Sequence, residues 1–337
     1  MHVLSLSNAH RRIPMLNISL IILGLMFVFV GCNINNDDED DPIDPTNANS
    51  NAMLTGTTPV RNSNGKVVNC GSIIAVTEGT TNLTDVANRL EIPRLKGGQN
   101  LFIVHTVPTY GVNYCVEWNY ALKSQRWSAF RWDNKNSGGS TGRTEAWAED
   151  PLIPSLYRTT LADLQSNGYD RGHIVASADR QFSEDANAQT FYMSNMQPQL
   201  NGFNSNDNQS NWWNLEIRLN NVYKSSNFRD TLYVVKGGTI DNGNYTWAQG
   251  RGQRLPVPKY FFMALLRKKN SLKTNGGFAA IGFWMEHISN TDNNLKKFVV
   301  TIDELERNTG IDFFCNLPDE IENAVEGKVD LSVWKLN

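Results

Sequence analysis

Short runs of β-branched and aromatic residues recur along this chain, separated by turn-rich segments and by one amphipathic stretch, and that pattern admits few folds. Leu101-Phe102-Ile103-Val104-His105 is apolar and β-branched, and Tyr114 to Tyr120 alternates as a half-buried strand does. Further strands are predicted at 191–194, 231–236, 260–266, 278–284 and 297–301. Helices are predicted over 208–222 and 303–312, the second capped by Thr301 or Asp303. Trp212, Leu215 and Leu219 fall at helical spacing and read as core packing. Residues 134–142, rich in Asn, Gly and Ser, read as a loop. Strands joined by turns, with one central helix, give an α+β body: a central antiparallel sheet with flanking helices.

The N-terminus reads as an address. His10, Arg11 and Arg12 precede a nearly uninterrupted apolar run from Ile18 to Val30. Its 13 residues would rise about 20 Å as a helix, short of the roughly 30 Å hydrocarbon core, so residues 1–31 are expected to be a cleaved export signal. Phe29-Val30-Gly31-Cys32 resembles the bacterial lipobox, which implies a lipid on Cys32 and an exported protein anchored to a membrane, expected to be the outer one. Residues 32–60 are polar and acidic, with Ile34 the one apolar residue of the first stretch, and are expected to act as a flexible tether. Residues 61–95 read as a small extension and 96–337 as the principal domain.

Charge leaves the partner open. Of 31 basic residues two lie before Cys32, and of 34 acidic residues six lie between Asp37 and Asp44, which leaves 29 basic and 28 acidic from Pro45 onward. A near-neutral body permits a polyanionic partner without arguing for one. Cys70, Cys115 and Cys315 carry no CxxC spacing, so they do not resemble a zinc site, and an odd number leaves at least one without an intramolecular partner; Cys70 and Cys115 are one candidate pair.

Chemistry concentrates in three segments: Tyr169-Asp170-Arg171-Gly172-His173, then Ser194-Asn195-Met196-Gln197-Pro198-Gln199, then Asn208 through Glu216. Phosphodiester hydrolysis needs a base to deprotonate water, a hard cation to neutralise phosphoryl oxygens and a fixed positive group. His173 suits the base because an imidazole is neutral near neutral pH. Arg171 suits a phosphate because its planar fork donates two hydrogen bonds. The neutral amide oxygen of Asn208 suits a magnesium ion that keeps most of its water. In a helix over 208–222, Glu216 stands about 12 Å up the axis from Asn208, so Asn208 is read as the direct ligand and Glu216 as acting through a metal-bound water.

Asp170-Arg171-Gly172-His173, the Ser-Asn-x-x-Pro-Gln segment and Asn-x-x-x-Trp-x-x-Leu-Glu together resemble the DNA/RNA non-specific endonuclease family. The similarity runs from about residue 96 to 315, through Trp118, Arg143, Asp150-Pro151, the Asp230–Gly238 stretch and Val257–Phe262. The resemblance implies the ββα-metal fold and sequence-non-specific hydrolysis of DNA and RNA to 5′-phosphate and 3′-hydroxyl ends. It implies magnesium, with manganese as a substitute, on Asn208, His173 as general base, Arg171 on phosphate, Glu216 orienting a metal-bound water and Asn195 fixing the site by hydrogen bonds. Asp170, which opens the motif, is counted with the catalytic group. Two positions depart from the family's pattern. Asn220 stands where an arginine often follows the glutamate by four residues, with Arg218 the nearest candidate; and the gap between Asn195 and Asn208 is long, which makes Asn204 the fallback ligand. Two other readings stay open: a degenerate nuclease fold that binds nucleic acid or a protein without cutting, and a glycan-binding lipoprotein. His105 and His287 are expected to be structural, and the Arg267-Lys268-Lys269 run to be a solvated turn that could touch substrate phosphate.

Overall fold

The computed structural model describes residues 51, 60–61, 67–69, 74–77, 81–205 and 209–336, all within the larger of the chain's two compact units, Glu39–Asn337. Cys32, Cys70 and Asn208 lie outside the described residues. Among those described, no helix is long and apolar enough to cross a membrane.

A two-stranded pairing of β1 (Val60–Arg61) with β2 (Val67–Asn69) precedes β3 (Ile74–Thr77) and the short helix α1 (Leu83–Ala87). The main sheet then forms from β4 (Asn100–Val107), β5 (Gly111–Asn119) and β6 (Ser124–Trp132) as consecutive antiparallel strands. It continues through β9 (Thr231–Gly238) and, after the separate hairpin of β10 (Tyr245–Gln249) with β11 (Arg254–Pro258), through β12 (Tyr260–Lys268), β13 (Phe278–Glu286) and β14 (Val299–Val300). The strand order is β14-β13-β12-β9-β6-β5-β4-β3. Every pairing in it is antiparallel except that of β3 with β4, so the antiparallel sheet carries one parallel edge strand. That strand comes from the 61–95 segment, whose Val86, Ala87, Ile92 and Leu95 pack into the same core as β4 and β5.

Both faces of the sheet are covered. Alternate residues of β9 and β12 show this directly. Val234, Phe261, Met263 and Leu265 join one core with Trp212, Leu215 and Leu219. Val235, Phe262, Ala264 and Leu266 join a second core with Ile302, Leu305, Ile311 and Phe313. Burial on two faces is why β12 reads as a continuous apolar run. It also corrects the half-buried reading of β5: Asn113 to Trp118 are buried without interruption.

β6 and β9 are adjacent in the sheet, and residues 133–230, between them in sequence, hold the motif segments. β7 (Asp170–His173) pairs antiparallel with β8 (Met196–Gln199), preceded by α2 (Glu184–Gln189) and followed by α3 (Asn201–Asn204) and α4 (Asn211–Arg218). The 191–194 strand is therefore displaced: Met193–Asn195 form a 3-10 turn and the strand starts at Met196. The central helix likewise starts at Asn211. Ser210 is its N-cap, its hydroxyl accepting from Trp213 N at 3.2 Å, and beyond Arg218 a π-helical turn, Leu219–Tyr223, continues it. Trp212, Leu215 and Leu219 are buried against the sheet; each such side chain stabilises by roughly 1.5–3 kcal/mol. On the opposite face α5 (Ile302–Thr309) is capped by Thr301, as expected, and α6 (Asp319–Glu326) packs beside β13.

Candidate nuclease active site

His173 ends β7, opposite Met196 of β8. The ribbon needs a glycine before it: a Cβ on Gly172 would lie 2.2 Å from the Cδ of Gln199. β8 is tied to the main sheet by Gln197, whose amide donates to Gln125 O at 3.1 Å and accepts from Gly238 N at 2.8 Å. Asn195 fixes the chain beyond His173. Its amide donates to Val175 O at 2.8 Å and Thr190 O at 2.7 Å, and its carbonyl oxygen accepts from Val175 N at 2.9 Å. A fully buried carboxamide thus satisfies three backbone groups, two of them on Val175, two residues beyond the histidine.

The His173 ring lies between aromatics, 5.4 Å from Trp147 and 5.0 Å edge-on to Phe191 by ring centroids. Its Nε2 is buried and has no hydrogen-bond partner among the described residues, while the backbone of Arg171 bonds the ring. Burial, then the charges of Arg143, Lys236 and Arg171, push its pKa down to about 3, so the ring is neutral across the physiological range. Arg171 stacks on Trp147, its guanidinium 3.9 Å from the ring centroid. Arg143 lies 4.7 Å over Phe191, pairs with Glu145 and keeps 47% of its side chain exposed, so it stays accessible to a ligand.

Glu216, on α4, faces a buried cation. Lys236 of β9 sits between two acids, 2.6 Å from Glu216 Oε1 and 3.3 Å from Asp179 Oδ2, with no exposed surface of its own. Burial opposes the charge on Lys236, but the two carboxylates outweigh it and raise its pKa. Burial raises the pKa of Glu216, Lys236 opposes that shift and Asp179 adds to it. Among the described residues, the second oxygen of Glu216 accepts no hydrogen bond. Asn220 donates to Asp179 Oδ1 at 2.8 Å, so the side chain at the position where an arginine was anticipated holds an acid, and the cation arrives from the sheet.

The other candidates are placed as follows. Asp170 accepts from Asn201 at 3.1 Å and Asn204 at 3.2 Å, so it tethers α3, and the fallback ligand Asn204 is engaged with it. Arg218 is not brought to this group. Two residues along a helix turn about 200°, and its guanidinium bonds Tyr223 Oη at 2.9 Å and Trp334 O at 3.3 Å, which makes it a structural anchor. His105 is buried with Nε2 3.1 Å from Asp150, which also accepts from Ser194. His287 accepts from Leu200 N at 2.7 Å and donates from Nδ1 to Pro258 O at 2.8 Å. Arg267 and Lys268 belong to β12, not to a turn, and lie over Phe228 and Phe278. Cys115 and Cys315 are free and buried.

Lys236, Asp179 and Trp147 were missed by sequence reasoning. The available signal was Lys236 itself: a lysine inside the run Leu-Tyr-Val-Val-Lys-Gly-Gly must be paired if that strand is central.

The family model of the DNA/RNA non-specific endonucleases matches residues 99–320, more than half of the chain. The chain belongs to the DNA/RNA non-specific endonuclease family. Within it, this member is 35% identical over 196 residues to a mitochondrial nuclease of Saccharomyces cerevisiae, a stretch covering 55% of this chain and 58% of that relative. It is 28% identical over 222 residues to a nuclease of Nostoc sp., covering 64% of this chain and 76% of that one. To human mitochondrial endonuclease G it is 30% identical over 178 residues, covering 50% and 56%. The chain thus spans a little over half the length of the yeast and human relatives. In fold it matches a crystal structure of an EndoG/EndoGI complex with a TM-score of 0.52 at 22% identity, over 61% of this chain and 85% of that one.

Proposed function

We propose that this family member is a metal-dependent endonuclease that hydrolyses phosphodiester bonds of DNA and RNA without sequence preference, with His173 as general base. The observation that carries the reading is the state of the His173 ring: neutral, among three cationic side chains, with a buried Nε2 that has no partner among the described residues. Such a ring has an open lone pair where a polyanion would be drawn in. In the proposed reaction Nε2 takes a proton from water, the water oxygen bonds to phosphorus, and the bond to the 3′ oxygen breaks; that oxygen takes a proton from solvent, leaving a 5′-phosphate and a 3′-hydroxyl. Arg171, held by Trp147, and the accessible Arg143 contact the phosphate. Asn208, with Glu216 through water, would hold a magnesium ion, a hard cation suited to oxygen donors, which would supply charge neutralisation at the phosphoryl oxygens. The described half of that set fits the role, since Glu216 has one oxygen on Lys236 and one that accepts no hydrogen bond among the described residues.

The test is cleavage of supercoiled plasmid and of RNA with and without magnesium. His173→Ala should lower kcat by about 10²–10⁴-fold with an unchanged circular dichroism spectrum. Tight retention of DNA by the wild type without divalent-dependent cleavage of either polymer would replace this reading with the degenerate, binding-only one.

The lipobox-like segment supports a second proposal: the chain is exported and anchored through a lipid on Cys32, at the outer membrane. Cys32→Ala should release it into the soluble fraction, and continued membrane retention of that variant would refute the anchor.

A further inference from the structure

α5 and α6 bring acids together on the sheet face opposite α4. One carboxylate oxygen from each of Asp303, Glu306 and Glu326 lies within 4.8 Å of the others. Among the described residues, none of the three is in an ion pair. Glu326 is 4% exposed, and its buried Oε1 has no hydrogen-bond partner among the described residues. It is also the last residue of α6, at the negative end of the helix dipole, where a carboxylate is least favourable. Glu306 is held in place by Phe313 N, which donates to its Oε1 at 2.7 Å. Asp303 is the most exposed of the three, so one side of the cluster opens to water.

A buried, unpartnered acid facing two more acids costs several kinds of free energy at once, and either a proton or a cation must compensate. The spacing is one that a cation can fill. Oxygens across a calcium ion lie up to about 4.8 Å apart, twice a bond of roughly 2.4 Å, and calcium accepts irregular sets completed by water, whereas magnesium requires near-octahedral bonds of about 2.1 Å.

We infer that Asp303, Glu306 and Glu326 form a calcium site that clamps α6 to α5, separate from the nuclease site. The ion joins the two helices through three carboxylates and completes its shell with water on the Asp303 side. The clamp is independent of the nuclease reading, because Trp212 and Leu215 of α4 pack in one core while Ile302, Leu305 and Val325 of α5 and α6 pack in the other.

The experiment is thermal unfolding of the chelator-treated protein titrated with calcium chloride, for wild type, Asn208→Ala and Glu326→Gln. Wild type and Asn208→Ala should gain roughly 5–10 °C in Tm at calcium a hundredfold above Kd. Glu326→Gln should lose that shift; because it removes the buried charge, its metal-free Tm should equal or exceed the metal-free wild-type value, which shows it folds. A wild-type Tm that ignores calcium, or a Glu326→Gln protein that keeps the full shift, overturns the site. A calcium-insensitive Tm that falls as pH rises from 6 to 9 would assign the compensation to a proton instead.

Discussion

Replacing Lys236 by methionine removes one charge while keeping the length of the side chain, and it isolates the most unusual electrostatic feature of the nuclease site. Lys236 Nζ stands 2.6 Å from Glu216 and 3.3 Å from Asp179 with no exposed surface. At an effective dielectric of about 20, each contact corresponds to roughly 5–6 kcal/mol of Coulomb attraction before the desolvation of three ions is subtracted. Desolvation offsets much of that, but the methionine variant keeps the cost of two buried acids and loses their compensation. Breaking a buried pair from one side costs about 3–5 kcal/mol, and that loss is expected in urea unfolding at pH 7.5. Glu216, now opposed by nothing but Asp179, is expected to bind a proton more readily, so the variant's cleavage rate should rise with pH where the wild type is flat. At neutral pH its kcat should be about 10²-fold lower, the loss of one preorganised charge. Adding Asp179→Asn removes one of the two stranded acids and should recover at least ~1 kcal/mol of the summed single-variant losses. If Lys236→Met costs under ~1 kcal/mol, or the two substitutions add without coupling, the buried triad is not what orders this corner of the site.

Three further outcomes are expected. Gly172→Ala places its Cβ against Gln199 and should destabilise by about 1–3 kcal/mol and reduce cleavage, read by thermal unfolding and plasmid nicking; an unaffected variant would mean that the ribbon shifts freely. Asn195→Ala strands Val175 N, Val175 O and Thr190 O and should cost at least ~2 kcal/mol, with kcat falling more than KM rises because the histidine loses its support. The depressed pKa of His173 means that below about pH 6.5 the unfolded chain takes up a proton the folded chain refuses until about pH 3, so stability is lost as pH falls through that window. At pH 4.5 this amounts to up to about 2.7 kcal/mol; His173→Gln should be less acid-sensitive by that amount in urea titrations, and equal pH dependence would contradict the neutral ring with its buried Nε2.

What the sequence made legible follows from how local each signal is. β4, β9, β12 and β13 are apolar runs bounded by turns, and they lie where those runs are. β6 escaped notice because Ser-Gln-Arg-Trp-Ser carries polar residues that are satisfied only in the folded state: Arg126 by Glu117 and Asp241, Gln125 O by Gln197. The hairpin of Tyr245–Gln249 with Arg254–Pro258 was missed for the same reason, since two prolines mask its second strand. In the site, Arg171 and His173 share one short strand, so their proximity was readable from four residues. Lys236 was not, because the acids it joins come from a 3-10 turn at Ser177–Arg180 and from α4, and only the sheet register brings them to β9. Arg218 is, in sequence, the nearest candidate for the arginine absent at Asn220, yet helical rotation sends it to Tyr223 and the C-terminal backbone.

The adjacency of β6 and β9 has a consequence for when such a molecule becomes competent. Their pairing must close over the whole of residues 133–230, and the entropic toll of joining such distant segments makes it a slow, late event. Until then the imidazole and its acid are present, but the ammonium that pins that acid and the Gly238 amide that anchors β8 are missing. A polypeptide interrupted anywhere before residue 236 is on this account inert, and activity arrives in one step, with the last-placed strand of the machinery.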